Sequence, residues 1–132
     1  METNTIVIKD ESSGGKVYQE IQVSFASSEV TVKDIIEARV IHEVNLYNAK
    51  LPEYFNGLVQ PTLAEKTLNG YRMKQRKKID PEKQVYIALD AFQKNGYFIL
   101  IDEKQAELLD QSVILTTKTV VSFVKLTPLV GG

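Results

Sequence analysis

"FILIDEKQAELLDQSVILTTKTVVSFVKLTPLVGG", residues 98–132, is the stretch on which the fold turns. Its first part, read with Gly96 and Tyr97, is a β-strand. "EKQAELLDQSVIL" reads as a turn, a short strand and a loop, and "TVVSFVKL" (Thr119 to Leu126) reads as the final strand. Parity assigns the faces. If Tyr97, Ile99 and Ile101 point to a core, Phe98 and Leu100 point away from it. The same register turns Lys125 inward beside Phe123, and a bulge or a one-residue slip would reverse the two faces. Beyond the strand come Pro128, Leu129 and Val130, then Gly131 and Gly132. A strand that runs into two glycines is the feature the rest of the chain must explain.

Upstream, the elements follow in a definite order. "TIVIK" (5–9) and "KVYQEIQVSF" (16–25) are β-rich runs joined by "DESSGG", an N-terminal hairpin in which Val17, Gln19, Ile21, Val23 and Phe25 share one parity. The period then changes. Val32, Ile35, Ile36, Val40, Val44 and Tyr47 recur at helical spacing, with Thr31 as N-cap, Asp34 in the capping-box position and Lys50-Leu51-Pro52 as the stop. Residues 51–95 read as an insertion. "LPEYFNGLVQP" is irregular but apolar, "TLAEKTLNGYRM" suggests a short helix from Thr62 ended by Asn69-Gly70, and Asp80-Pro81-Glu82 starts a second helix. Val85, Ala88, Leu89 and Phe92 form the stripe of that helix, and Asn95-Gly96 ends it.

The totals exclude several function classes. A 132-residue chain, 43% apolar and 25% charged, is long enough for one folded domain with its own core. The net charge of −1 gives no global pull toward nucleic acid or an anionic membrane. Without cysteine there is no thiol nucleophile, disulfide or Cys-based metal site. The N-terminal residues lack the pattern of a secretory signal, and no apolar run reaches the roughly 20 residues of a membrane span, so a cytoplasmic protein is expected.

Hairpin, helix and strands ending in diglycine resemble the β-grasp fold of ubiquitin-like proteins. Residues 98–132 carry the likeness most closely, through the apolar strand, Lys104-Gln105, "LLDQSVIL" and the last strand with its glycines. "FNGLVQP", "LNGYRM", "IDPEKQ" and "SFVKLTPLVGG" further resemble a bacterial family of ubiquitin-like modifiers. That family is encoded beside activating-enzyme-like and conjugating-enzyme-like proteins and a JAB-type metallopeptidase. The fold so implied is α+β: a single ubiquitin-like β-grasp domain with an inserted segment and second helix between the first helix and the third strand, and an extended tail over 127–132.

The resemblance also implies a role. The chain would be a substrate, not an enzyme: an activating enzyme would use ATP and Mg²⁺ to adenylate Gly132, and a conjugating enzyme would pass the acyl group to a target lysine. No cofactor or metal would be bound by this chain, and the peptidase would reverse the link. Gly131 and Gly132, lacking Cβ atoms, fit a narrow channel. Pro128 would hold Thr127 extended and the tail off the sheet, with Leu129 and Val130 gripped by an enzyme groove. Leu100, Val124 and Leu126 match the family's apolar docking patch; the alternative is that they are core of a sheet covered on both faces. Analogy with related operons suggests phage defence or stress response. The same tail chemistry also admits a sulfur carrier with a C-terminal thiocarboxylate, and the fold alone admits a noncovalent binding module.

Other features are weaker. "YRMKQRKK" (71–78) is the one basic cluster, and Tyr71 could stack on a base there, but without a basic domain around it a solvated surface is the better reading and no nucleic-acid partner is expected. Lys77, Lys78 and Lys104 are candidate acceptors for self-conjugation, among which the sequence does not choose. His42 has no second His or Cys to make a metal site, and no carboxylate pair argues for catalysis.

Overall fold

The computed structural model describes residues 4–12, 14–62, 64–67, 70–74 and 77–125, without the side chain of residue 18. It is an α+β domain built on a five-stranded mixed sheet. The N-terminal hairpin pairs β1 (Asn4–Ser12) with β2 (Val17–Phe25). Ser12 and Gly15 close its turn, where Gly15 takes a φ of +86°. Ile6, Ile8, Val23 and Phe25 are buried, as alternation requires. The shared parity fails at the start of β2, because a bulge at Asp10/Glu11 sets Glu11 against Val17 and leaves Val17 40% exposed.

A short strand β3 (Glu29–Thr31) leads into α1 (Val32–Lys50). Thr31 and Asp34 complete the capping box: the Thr31 Oγ1 accepts from the Asp34 N–H at 3.2 Å, and the Asp34 carboxylate accepts from the Thr31 N–H at 2.9 Å. The helix ends at Leu51, whose N–H makes a last helical bond to the Tyr47 carbonyl and whose left-handed φ of +45° then turns the chain out of the helix.

The insertion differs from expectation. In place of a short helix from Thr62, it forms an antiparallel sheet, with β6 (Tyr71–Met73) between β4 (Tyr54–Phe55) and β5 (Ala64–Lys66). Thr67 donates backbone and hydroxyl hydrogen bonds to the Gly70 carbonyl, both at 2.9 Å, which ties the end of β5 to the start of β6. Its buried apolar residues extend the main core. Phe55 packs edge-on against Tyr47 and stacks on Tyr71, at centroid distances of 5.4 and 6.5 Å. The Asn48 amide joins α1 to the end of the insertion, donating to the Ile79 carbonyl and accepting from its N–H.

Helix α2 (Pro81–Gln93) starts on an Asp80 N-cap with proline in its first position. Its buried line is Gln84, Ala88 and Phe92; Val85 and Leu89 flank that line and are only half-buried. Gln84 was not expected there, and it is satisfied by donating to the Val59 carbonyl at 2.8 Å. The chain then forms β7 (Tyr97–Ile101), β8 (Lys104–Gln105), β9 (Ser112–Ile114), which pairs with β3, and β10 (Val120–Lys125). In the main sheet the order is β2-β1-β10-β7-β8, with β1 and β10 parallel and the other pairs antiparallel. Both helices cover one face, through Ile35, Ile36, Val40 and Val44 from α1 and Ala88 and Phe92 from α2. Burying each of the isoleucine, valine and phenylalanine side chains contributes about 1.5–3 kcal/mol.

Gly57 sits where the insertion is tightest. A Cβ on it would lie 1.8 Å from the Phe55 ring, which is itself held between Tyr47 and Tyr71. Gly57→Ala is therefore expected to lower the unfolding free energy by about 1–3 kcal/mol, read from the midpoint of urea denaturation at unchanged slope.

Candidate functional site

The residues expected to act follow β10 in sequence, so the surroundings of that strand form the candidate site. Val121, Phe123 and Lys125 face the helices; Ser122 and Val124 face the other way. Pairing with β7 sets Val124 against Phe98 and Ser122 against Leu100. Leu100 and Val124 thus share the sheet face opposite the helices, together with Phe98, and all three are half-buried. The third patch residue, Leu126, lies outside the described residues, as do Pro128, Leu129, Val130, Gly131 and Gly132.

Beneath β10 lies a charge cluster that the apolar pattern concealed. Arg39 is fully buried in the middle of the α1 stripe. Its Nε donates to Asp10 Oδ1 at 3.0 Å, its Nη2 to Asp10 Oδ2, and its Nη1 to Glu43 Oε2 at 2.7 Å. The guanidinium carbon also lies 4.8 Å from the centroid of the Phe123 ring. Burial by itself would weaken the basicity of Arg39, but Glu43 and Asp10 more than offset it and the pKa is raised. Burial pushes the Glu43 carboxyl up, against the pull of Arg39 and of the Leu58 N–H.

The cluster reaches the insertion through a single peptide group. Glu43 Oε1 accepts from the Leu58 N–H at 2.9 Å, while Lys125 Nζ donates to the Gly57 carbonyl at 2.7 Å. Carbonyl and N–H belong to the same peptide plane, so an ammonium and a carboxylate hold its two ends. The last described residue of β10 is tied in this way to the insertion and to α1. Tyr97, opposite Lys125 in the sheet, donates its hydroxyl to the Ala88 carbonyl at 2.7 Å and fixes α2 to β7. Burial raises its pKa.

Sequence reasoning placed Lys125 inward but passed over Arg39, Asp10 and Glu43. The available signal was spacing: Ile35, Arg39, Glu43 and Tyr47 are four apart, so two opposite charges interrupt the apolar stripe at adjacent turns.

The candidate acceptors lie apart. Lys104 is exposed beside the Asp102-Glu103 turn, where both residues take positive φ and Asp102 Oδ1 accepts from the Val120 N–H. Lys77 and Lys78 are exposed in the segment that leads into α2. Tyr71 is 8% exposed and stacked on Phe55, which removes it as a platform for a base. Arg72 pairs with Glu53 at 3.1 Å. Among the described residues no helix is long and apolar enough to cross a membrane, and no group of three or more His, Cys, Asp or Glu is placed to hold a metal ion. The chain matches no protein-family model, no curated protein and no solved structure.

Two expected outcomes test the cluster. Arg39→Met strands two buried carboxylates and should cost about 3–5 kcal/mol in denaturant unfolding at neutral pH. For Lys125, burial and then Arg39 lower the folded pKa below the ordinary 10.5, with Asp10 and Glu43 opposing. The unfolded chain therefore binds that proton more tightly. The corresponding stability is full above 10.5 and is lost as pH falls through the folded value. Urea unfolding across alkaline pH should show the native chain losing stability relative to Lys125→Met as pH is lowered through that window.

Proposed function

We propose that the chain is a ubiquitin-like protein modifier of β-grasp type, conjugated through the carboxyl group of Gly132. The observation that carries this reading is the sheet order. Numbered among themselves from the N-terminus, the strands of the main sheet run 2-1-5-3-4, with the first and last parallel at the centre and α1 packed across them. This order supports the β-grasp reading, and in sequence the central last strand is followed by "LTPLVGG". The insertion at 51–95 extends the α1 side of the fold and leaves the sheet order intact.

In this reading the Gly132 carboxylate attacks the α-phosphate of ATP on an activating enzyme and releases pyrophosphate. An enzyme nucleophile then takes the acyl group and AMP leaves, and a lysine amine finally displaces that nucleophile to form an amide. Gly131 and Gly132 let the backbone enter a channel that side chains would block. Pro128 stiffens the approach, and Leu129 and Val130 supply grip. Leu100 and Val124, with Leu126 beyond them, form the docking patch for the activating and conjugating enzymes and the JAB-type peptidase. Lys104, Lys77 and Lys78 are the candidate acceptors for self-conjugation, and the work is cytoplasmic.

Mass spectrometry of a tagged copy, purified under denaturing conditions from the native host, tests the reading. Other proteins should carry lysines bearing a remnant that ends in Leu129-Val130-Gly131-Gly132, lost when Gly132 is deleted. A mass gain matching replacement of oxygen by sulfur on free chain would instead establish the sulfur carrier. Full function without Gly131-Gly132 would establish a noncovalent module.

A further inference from the structure

A cleft of about 200 Å³ opens between the insertion and the first turns of α2. Met73, Ile79 and Ile87 give it an apolar floor, and the exposed Lys77, Lys78 and Lys83 stand at its rim. One carboxylate also lines it: Asp80 caps α2 by accepting from the Glu82 N–H at 3.0 Å. The rim is a local concentration of positive charge on a chain whose net charge is −1. Its chemistry fits an acidic segment bearing one aliphatic side chain. Nucleic acid fits less well, since the described lining offers no aromatic ring on which a base could stack.

Such a segment stands elsewhere on the same molecule. Between β8 and β9, Glu107 and Asp110 are exposed, and Leu108 between them is 62% exposed. The loop is braced from within: Gln111 Oε1 accepts from the Glu107 N–H at 3.0 Å, and the Gln111 N–H reaches the Leu108 carbonyl at 3.2 Å. A loop already held in shape loses little entropy when it docks. Nearby positive charge is occupied, since Lys33 lies 3.9 Å from Glu37.

We propose that the cleft rimmed by Lys77, Lys78 and Lys83 receives the Glu107–Asp110 loop of a second copy, with Leu108 on the apolar floor, so that the chain associates head to tail. The two features cannot meet within one molecule. The loop is tied to the N-terminal end of α1, where the Val32 and Lys33 N–H groups donate to the Gln111 and Leu109 carbonyls. The cleft is tied to the C-terminal end of α1 by the Asn48–Ile79 pair. At 1.5 Å per residue those ends are about 24 Å apart. A contact that joins two different patches repeats without using itself up and builds rows of copies unless it closes into a ring. The tail has no part in it, so it goes beyond the proposed conjugation and is independent of it.

Sedimentation velocity of the full chain at low salt tests the proposal. The weight-average mass should rise with concentration and fall back toward the monomer at high salt. Lys78→Glu with Lys83→Glu, and separately Glu107→Lys with Asp110→Lys, should each weaken association by about tenfold. An equimolar mixture of those two variants should restore it, because each reversed patch then meets its complement. Rescue by mixing also shows that both variants are folded. Monomer alone at about 1 mM, association unchanged in either variant, or a mixture that stays dissociated would overturn the proposal.

Discussion

A guanidinium buried without water must be surrounded by acceptors, and the requirements of Arg39 organise much of this domain. It sits on α1, takes both oxygens of Asp10 on β1 and reaches Glu43 one turn along its own helix. Asp10 can point inward only because β1 keeps its alternation up to the bulge. Moving β1 by one residue would turn Asp10 to solvent and leave Arg39 half paired. The ion cluster thus acts less as a source of net stability than as a register pin, a role well suited to buried charges because mispairing them is so costly.

The same cluster explains how an insertion of some size can interrupt the chain without loosening the fold. The insertion carries its own three-stranded sheet and an aromatic group of Phe55 and Tyr71 against Tyr47. It is fastened to β10 and α1 at two polar points, the Gly57–Leu58 peptide between Lys125 and Glu43 and the Ile79 backbone on Asn48. Within the insertion itself, Gln84 of α2 holds the Val59 carbonyl. Each fastening pairs backbone groups that would otherwise be buried without partners.

The elements with strong local codes were legible. The capping box at Thr31 and Asp34, the Asp80-Pro81 helix start and the alternation around Tyr97, Ile99 and Phe123 each state their structure within a few residues. Residues 62–73 did not, because strands of three residues show no period and Asn69-Gly70 can end a helix or join two strands. Val17 was misassigned for a different reason: a bulge is a property of pairing, which one strand alone does not reveal. Glu43 was legible as part of a helix but not as buried, since its burial depends on Arg39 and on the distant Leu58 N–H. In the candidate site, Leu100 and Val124 follow from parity. The polar support beneath them depends on contacts between residues far apart in sequence, such as Arg39 with Asp10 and Lys125 with Gly57.

The parallel pairing of β1 and β10 has a mechanical consequence. From Val7–Val120 to Ser12–Lys125 the two strands advance together, so Asn4 and Lys125 lie toward opposite ends of the pair. A motor that grips the chain beyond Lys125 and drags it away from the N-terminal end must slide β10 along β1, straining many ladder bonds at once instead of unzipping them in turn. β10 is flanked by β7 on its other edge, and Lys125 is anchored to Gly57 at the point of load. The segment beyond Lys125 is thereby backed by the most shear-resistant part of the sheet, and a pull on it is carried by the whole domain before any strand gives way.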